Sequence, residues 1–196
     1  EGKEYKMEEI KQNEIYIAPY DAKNIYLRSY QNTGKKSDVK DGALISLFNE
    51  YYGGGMNTIV FQELRETRGL AYNAGAAYYT PVRKDEKDYF MRHIITQNDK
   101  MMDCIHVFDE ITDNLPQNEA SFNLAKQNLM KSIQSRRITK AGVINAYFNA
   151  QLRGIDYDVT KLYYEQIPSL TLQDITNFEK QNIVGKPYRM VILGDE

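Results

Sequence analysis

The chain has 196 residues, 25 Lys and Arg against 27 Asp and Glu, and a formal net charge of -2. A pI near 5.8 provides no global field that would draw nucleic acid or an anionic lipid surface, and a mean hydropathy of -0.61 with no apolar run near membrane length excludes a membrane-spanning helix. One cysteine, Cys104, excludes an internal disulfide and a Cys-based zinc module.

In chain order, Glu14–Ala18 and Asn24–Tyr30 alternate apolar with polar residues and read as strands, with Pro19 as a break between them. Ser37 is a candidate N-cap for a helix from Asp38 to about Tyr52, whose buried stripe would be Leu44, Leu47, Phe48 and Tyr51. Gly53-Gly54-Gly55 ends it. The G-x-G-x-x-G and P-loop spacings are absent, so the three glycines read as a bend of positive φ between closely spaced helices rather than a phosphate cradle. A second helix from about Asn57 to Arg68 carries Ile59, Val60, Phe61 and Leu64, and Gly69 takes the position after its end.

Two strand-like stretches follow, Leu70–Pro81 and Asp88–Gln97, joined by a charged hairpin tip from Arg83 to Asp88. Asn98 is placed to cap a helix to Leu115 with the stripe Met101, Cys104, Ile105, Phe108, Ile111, Leu115. From Asn118 to Val184 the period is helical, with breaks near 139–142, 154–156 and Pro168. Thr171 and Asp174 have capping-box spacing, and Tyr188–Leu193 reads as a closing strand. Strands at both ends and in the middle, with helices gathered between them, predict an α+β fold: an antiparallel or mixed sheet covered by one helical layer. No linker or repeat divides the chain, so residues 1–196 read as a single domain. No targeting segment opens it; it reads as a soluble piece of something longer, or a processed form, of unknown compartment.

Few residues here have the chemistry of a hydrolytic centre. His93 and His106 lie 13 positions apart, one on a predicted strand and one on a helix, and neither begins H-E-x-x-H or H-x-x-E-H. Asp103, His106 and Glu110 share a helix face, which the composition reads as a solvated polar stripe. Cys104 falls on the apolar stripe and reads as an inert buried thiol. The block Leu64-Arg65-Glu66-Thr67-Arg68-Gly69-Leu70-Ala71-Tyr72 is more informative. Arg65 sits near a helix end, Gly69 turns the corner and Tyr72 opens a strand, so a guanidinium fork and a phenol could converge on a peptide carbonyl or a developing oxyanion; the alternative is a solvated or ion-paired surface arginine beside one of sixteen tyrosines.

This block, with Phe48-Asn49-Glu50-Tyr51-Tyr52-Gly53-Gly54-Gly55-Met56 and Phe61-Gln62-Glu63-Leu64-Arg65-Glu66 before it, resembles the second-half signature of the pitrilysin-type zinc peptidases, the superfamily of insulin-degrading enzyme and the mitochondrial processing peptidase. The ending, Leu170–Ile175 followed by Tyr188–Asp195, is similar to that family's last helix and strand, so the likeness runs from about residue 15 to 195. The resemblance implies a two-layer α+β sandwich of pitrilysin type, a mostly antiparallel sheet covered by helices. It also implies one of two related halves that face each other across a cleft.

The other half, on the same polypeptide or a separate chain, would carry H-x-x-E-H and zinc. This chain lacks that motif and resembles the C-terminal, non-metal half: no metal ligands, no catalytic residues of its own and no activity alone. The family's substrate-contacting Arg and Tyr correspond to Arg65 and Tyr72. The partners implied are the zinc-bearing half and a peptide, with no nucleic acid. Two alternatives stay open, a catalytically silent scaffold subunit of the same fold and an unrelated α+β binding domain.

Overall fold

The computed structural model describes residues 8–83, 86–136 and 139–195. Five strands form one sheet in the order β1-β5-β2-β4-β3: β1 (Glu14–Pro19), β2 (Ile25–Gln31), β3 (Ala71–Tyr79), β4 (Tyr89–Thr96) and β5 (Arg189–Gly194). β1 pairs parallel to β5, and every other pairing is antiparallel. The sheet is therefore mixed and mostly antiparallel, and Pro19 closes β1 at the sheet's edge, where its missing N–H costs no ladder bond.

The helices are α1 (Gly42–Tyr52), α2 (Ile59–Phe61), α3 (Met101–Asp113), α4 (Glu119–Ser135), α5 (Lys140–Arg153), α6 (Val159–Gln166) and α7 (Leu172–Asn182). Side-chain alternation decides which face of the sheet they cover. In β4, Phe90, Arg92, Ile94 and Thr96 are buried, while Tyr89, Met91, His93 and Ile95 point the other way. The buried set meets Leu27, Met190 and Ile192 from neighbouring strands and Leu47, Phe48, Tyr52, Cys104, Phe108 and Ile175 from the helices, in one continuous core. Phe48 stacks on Tyr52 with ring centroids 5.1 Å apart and meets Phe178 of α7 at 5.2 Å. Full burial of side chains this size contributes about 1.5–3 kcal/mol each. On the opposite face Tyr16, Tyr26, Tyr79, Val191 and Leu193 stay exposed.

Local signals account for several element ends. Thr171 and Asp174 close a reciprocal capping box at α7, and Gly69 and Gly154 end their helices with φ of 58° and 72°. Four boundaries differ from the sequence expectation. Before α1 the chain makes a 3-10 turn, Val39–Asp41, capped by the Asp38 carboxylate accepting from Lys40 N–H, so Ser37 caps nothing. Asn98 lies inside another 3-10 turn, Asn98–Lys100, and does not cap α3. The helix expected from Asn57 to Arg68 starts two residues later and, after Phe61, widens into a π-helical turn, Gln62–Thr67. None of Gly53, Gly54 and Gly55 has a positive φ; Gly53 is required by proximity, because a Cβ there would lie 2.2 Å from the Ala76 carbonyl oxygen. The hairpin tip is described only outside 84 and 85.

Candidate functional site: a helix–strand corner beside an open sheet edge

The corner between the π-helical turn and β3 is held from several sides. Gly69 N–H returns to the Arg65 carbonyl at 3.1 Å and Leu70 N–H to the Leu64 carbonyl at 2.9 Å. The Leu70 carbonyl accepts from the Thr96 hydroxyl at 2.6 Å and from the Cys104 thiol at 3.4 Å, and the Gly69 carbonyl accepts from Lys100 Nζ at 3.2 Å. Arg68 reaches Glu63 at 3.5 Å and Glu110 of α3 at 3.2 Å. Cys104 is thus a buried donor in the corner's scaffold, and burial pushes its thiol pKa up, away from nucleophilic use.

Arg65 and Tyr72 project from the two arms of this corner, and both are about half exposed, 50% for the Arg65 side chain and 54% for Tyr72. The Arg65 guanidinium lies over the Phe61 ring, 4.9 Å from its centroid, with Glu66 3.8 Å from its Nε. A cation–π contact of this kind leaves guanidinium N–H groups available to donate. Tyr72 sits at a bulge, the register with β4 passing from Ala71/Thr96 to Asn73/Ile95. Its phenol oxygen accepts a hydrogen bond from Gln97 Nε2 at 2.8 Å, so its own O–H remains free to donate. Among the described residues no hydrogen bond joins Arg65 to Tyr72.

Beside the corner lies the free edge of β3. Along this strand Ala76 N–H donates to the Gly53 carbonyl at 2.9 Å. The Asn49 side chain takes both groups of Tyr78, accepting from its N–H at 2.8 Å and donating to its carbonyl at 2.9 Å. Asn49 and Gly53 therefore occupy the place of a sixth strand for half the edge. By the same alternation Ala74 turns its N–H and C=O to the part they leave open. A groove of about 560 Å³ begins there, between the Gly53–Gly55 turn, Phe61 and Asn73, and runs across the uncovered face of β4 to Arg28 of β2.

The histidines do not meet. His93 lies on the uncovered sheet face, its Nε2 3.2 Å from Asn73 Oδ1, while His106 is exposed on α3 of the helical layer. Among the described residues no three His, Cys, Asp or Glu side chains group as metal ligands. Sequence reasoning had no means of finding the partners of Asn49, Gln97 and His93, which lie 29, 25 and 20 residues away.

The sequence model of the family described as the peptidase M16 inactive domain matches residues 2–129. The chain belongs to this family. No curated protein sequence matches it. The fold of this M16 inactive domain is similar to that of a peptidase M16 inactive domain from Pseudomonas fluorescens, at 20% identity and a TM-score of 0.79 over 98% of this chain and 46% of that one. A protease from Helicobacter pylori is similar at 14% identity and a TM-score of 0.76, over 96% of this chain and 46% of that one. A chain of complex III2 from Candida albicans is similar at 10% identity and a TM-score of 0.71, over 93% and 46%. This M16 domain thus spans about half the length of these three structures. Among its described residues no helix is long and apolar enough to cross a membrane.

Proposed function

We propose that this M16 inactive domain is the substrate-binding half of a zinc peptidase, closing a cleft against a half that bears H-x-x-E-H, on the same polypeptide or another chain. The observation that supports this most is that two half-exposed groups, the Arg65 guanidinium and the Tyr72 phenol, project from the two arms of one hydrogen-bonded corner next to an open strand edge. The zinc-bearing half supplies the hydrolytic chemistry. Tyr72, its oxygen loaded by Gln97, donates its O–H to the carbonyl of the bond being cut as negative charge gathers there. Arg65, held over Phe61, binds a neighbouring backbone carbonyl with its N–H groups.

The test is Tyr72→Phe in the enzyme assembled with its zinc-bearing half. Loss of one such donor costs about 2.7–4 kcal/mol where it stabilises an oxyanion, so turnover should fall at least tenfold with an unchanged melting temperature. Parent-like turnover would remove Tyr72 from the reaction. A second reading, a catalytically silent scaffold subunit, has the fold likeness to a complex III2 chain behind it. A zinc motif encoded upstream on the same polypeptide or in a neighbouring reading frame separates the two.

A further inference from the structure

The groove crosses three strands on the sheet face that the helices leave bare. Its β3 floor is low at the centre, where Gly75 and Ala77 stand between Asn73 and Tyr79. A Cβ at Gly75 would lie 2.7 Å from His93 Cε1, so the imidazole of β4 occupies the space over it. The register then continues from Gly75 through His93 to Arg28, one cross-strand row that ends in a guanidinium.

The charges along this path are one-sided. Among the described residues that line the groove there is no Asp or Glu. Its second arginine, Arg92, turns its guanidinium to the helical side, between the Phe108 and Tyr188 rings and against Asp109. On the bare face, Glu14 is taken up by Arg189 at 2.7 Å. Arg28 is exposed and has no carboxylate partner among the described residues. Its field is felt inside the groove: the His93 pKa is lowered, first by burial and then by the charge of Arg28. A cation with no protein counter-charge, closing a trough that starts at a peptide-binding corner, is the complement of an anion carried by the peptide.

We infer that Arg28 is a carboxylate subsite, receiving an Asp or Glu side chain or the C-terminal carboxylate of the peptide held at the Arg65–Tyr72 corner. The inference rests on the peptide-binding reading above and names the class of peptide: acidic. Strand spacing places Arg28 about 10 Å across and about 7 Å along from Asn73, so the carboxylate belongs about three or four extended residues from the carbonyl facing Tyr72.

The experiment uses the assembled two-half enzyme and three sets of fluorescein-labelled peptides. One set carries Glu against Gln at each position around the cut, one a free against an amidated C-terminus, and one Lys at the responsive position. Binding is read by fluorescence anisotropy and hydrolysis by kcat/KM. An exposed charge-assisted pair should favour the acid about threefold to tenfold at low salt, at one position about three or four residues from the cut. Arg28→Gln should bring the ratio of acid to amide to one, and Arg28→Glu should turn the preference toward Lys. Response of the Glu/Gln set alone identifies the side chain as the source, and response of the free/amidated set alone identifies the chain end. An acid-to-amide ratio of one in the parent, or a ratio unchanged in Arg28→Glu, overturns the subsite. The anisotropy arm separates this from the reading above: an acid preference that vanishes in Arg28→Gln, beside parent-like turnover in Tyr72→Phe, keeps the subsite and removes the catalytic role of Tyr72.

Discussion

Gln97 Nε2 donates to the Tyr72 phenol oxygen across 2.8 Å, joining the residue after β4 to the bulge that opens β3. A phenol whose oxygen already accepts one hydrogen bond is a better donor through its remaining proton, and its ring has one preferred direction. Gln97→Leu therefore removes positioning without removing the donor. Turnover should fall about twofold to tenfold, less than in Tyr72→Phe, with KM unchanged, and the double variant should be no worse than Tyr72→Phe alone. Steady-state kinetics of the three variants check this; additive losses would mean that Gln97 does not act through Tyr72.

The glycine run offers a paired test of packing. At Gly53 a Cβ would meet the Ala76 carbonyl at 2.2 Å, whereas at Gly55 it would meet nothing within 4 Å. Gly53→Ala should destabilise by about 1–3 kcal/mol or more, because the β3 backbone must move, and Gly55→Ala should be neutral or slightly stabilising. Urea denaturation of the two variants distinguishes them. Equal effects would show that the run serves flexibility rather than close approach.

Asn49 substitutes for a strand along Tyr78. Asn49→Ala strips two hydrogen bonds from a partly buried backbone segment and should cost about 1–3 kcal/mol. It also bares more of an edge that carries exposed Tyr79, so self-association should rise with protein concentration. Sedimentation and thermal melting measure the two effects separately.

Glu179 is 1% exposed in the core beneath α7, and its Oε1 has no hydrogen-bond partner. Burial, reinforced by the negative charge of Asp113, raises its pKa from 4.5 to about 8. The folded state therefore holds this proton more tightly than the unfolded chain does. Its contribution is fully present below pH 4.5 and is lost as pH rises through about 8. The slope between is at most ~1.4 kcal/mol per pH unit. Glu179→Gln should flatten the fall in melting temperature from about pH 5 to about pH 8. An equal slope in both proteins would assign the dependence to other groups.

Short-range signals in the sequence were enough for much of this architecture. The Thr171–Asp174 box, the glycine at position 69 and Leu47, Phe48 and Tyr51 of the expected stripe each act within one or two helical turns, and each is found in place, whereas Leu44 of that stripe is only partly buried. The corner block also placed Arg65 and Tyr72 on a helix end and a strand start. What stayed hidden depends on proximity in space. The role of Gly53 is set by a carbonyl 23 positions away, at Ala76. Glu179 follows Leu172 and Ile175 at helical spacing, so its buried side was readable from the period, but a carboxylate among apolar neighbours is not what that pattern selects. Arg28 and His93 become neighbours only through the β2–β4 register.

The parallel pairing of β1 with β5 has a consequence for how the sheet is put together. β5 separates β1 from β2, so β1 has nowhere to dock until a segment about 175 residues further along has arrived. Hairpin β3–β4 and its neighbour β2 can assemble early from nearby chain, whereas the other margin waits for translation to reach Arg189–Gly194. A stop codon ahead of Arg189 would thus delete two strands rather than one, leaving Ile15 and Ile17 on a loose tail and β2 as a raw, adhesive border.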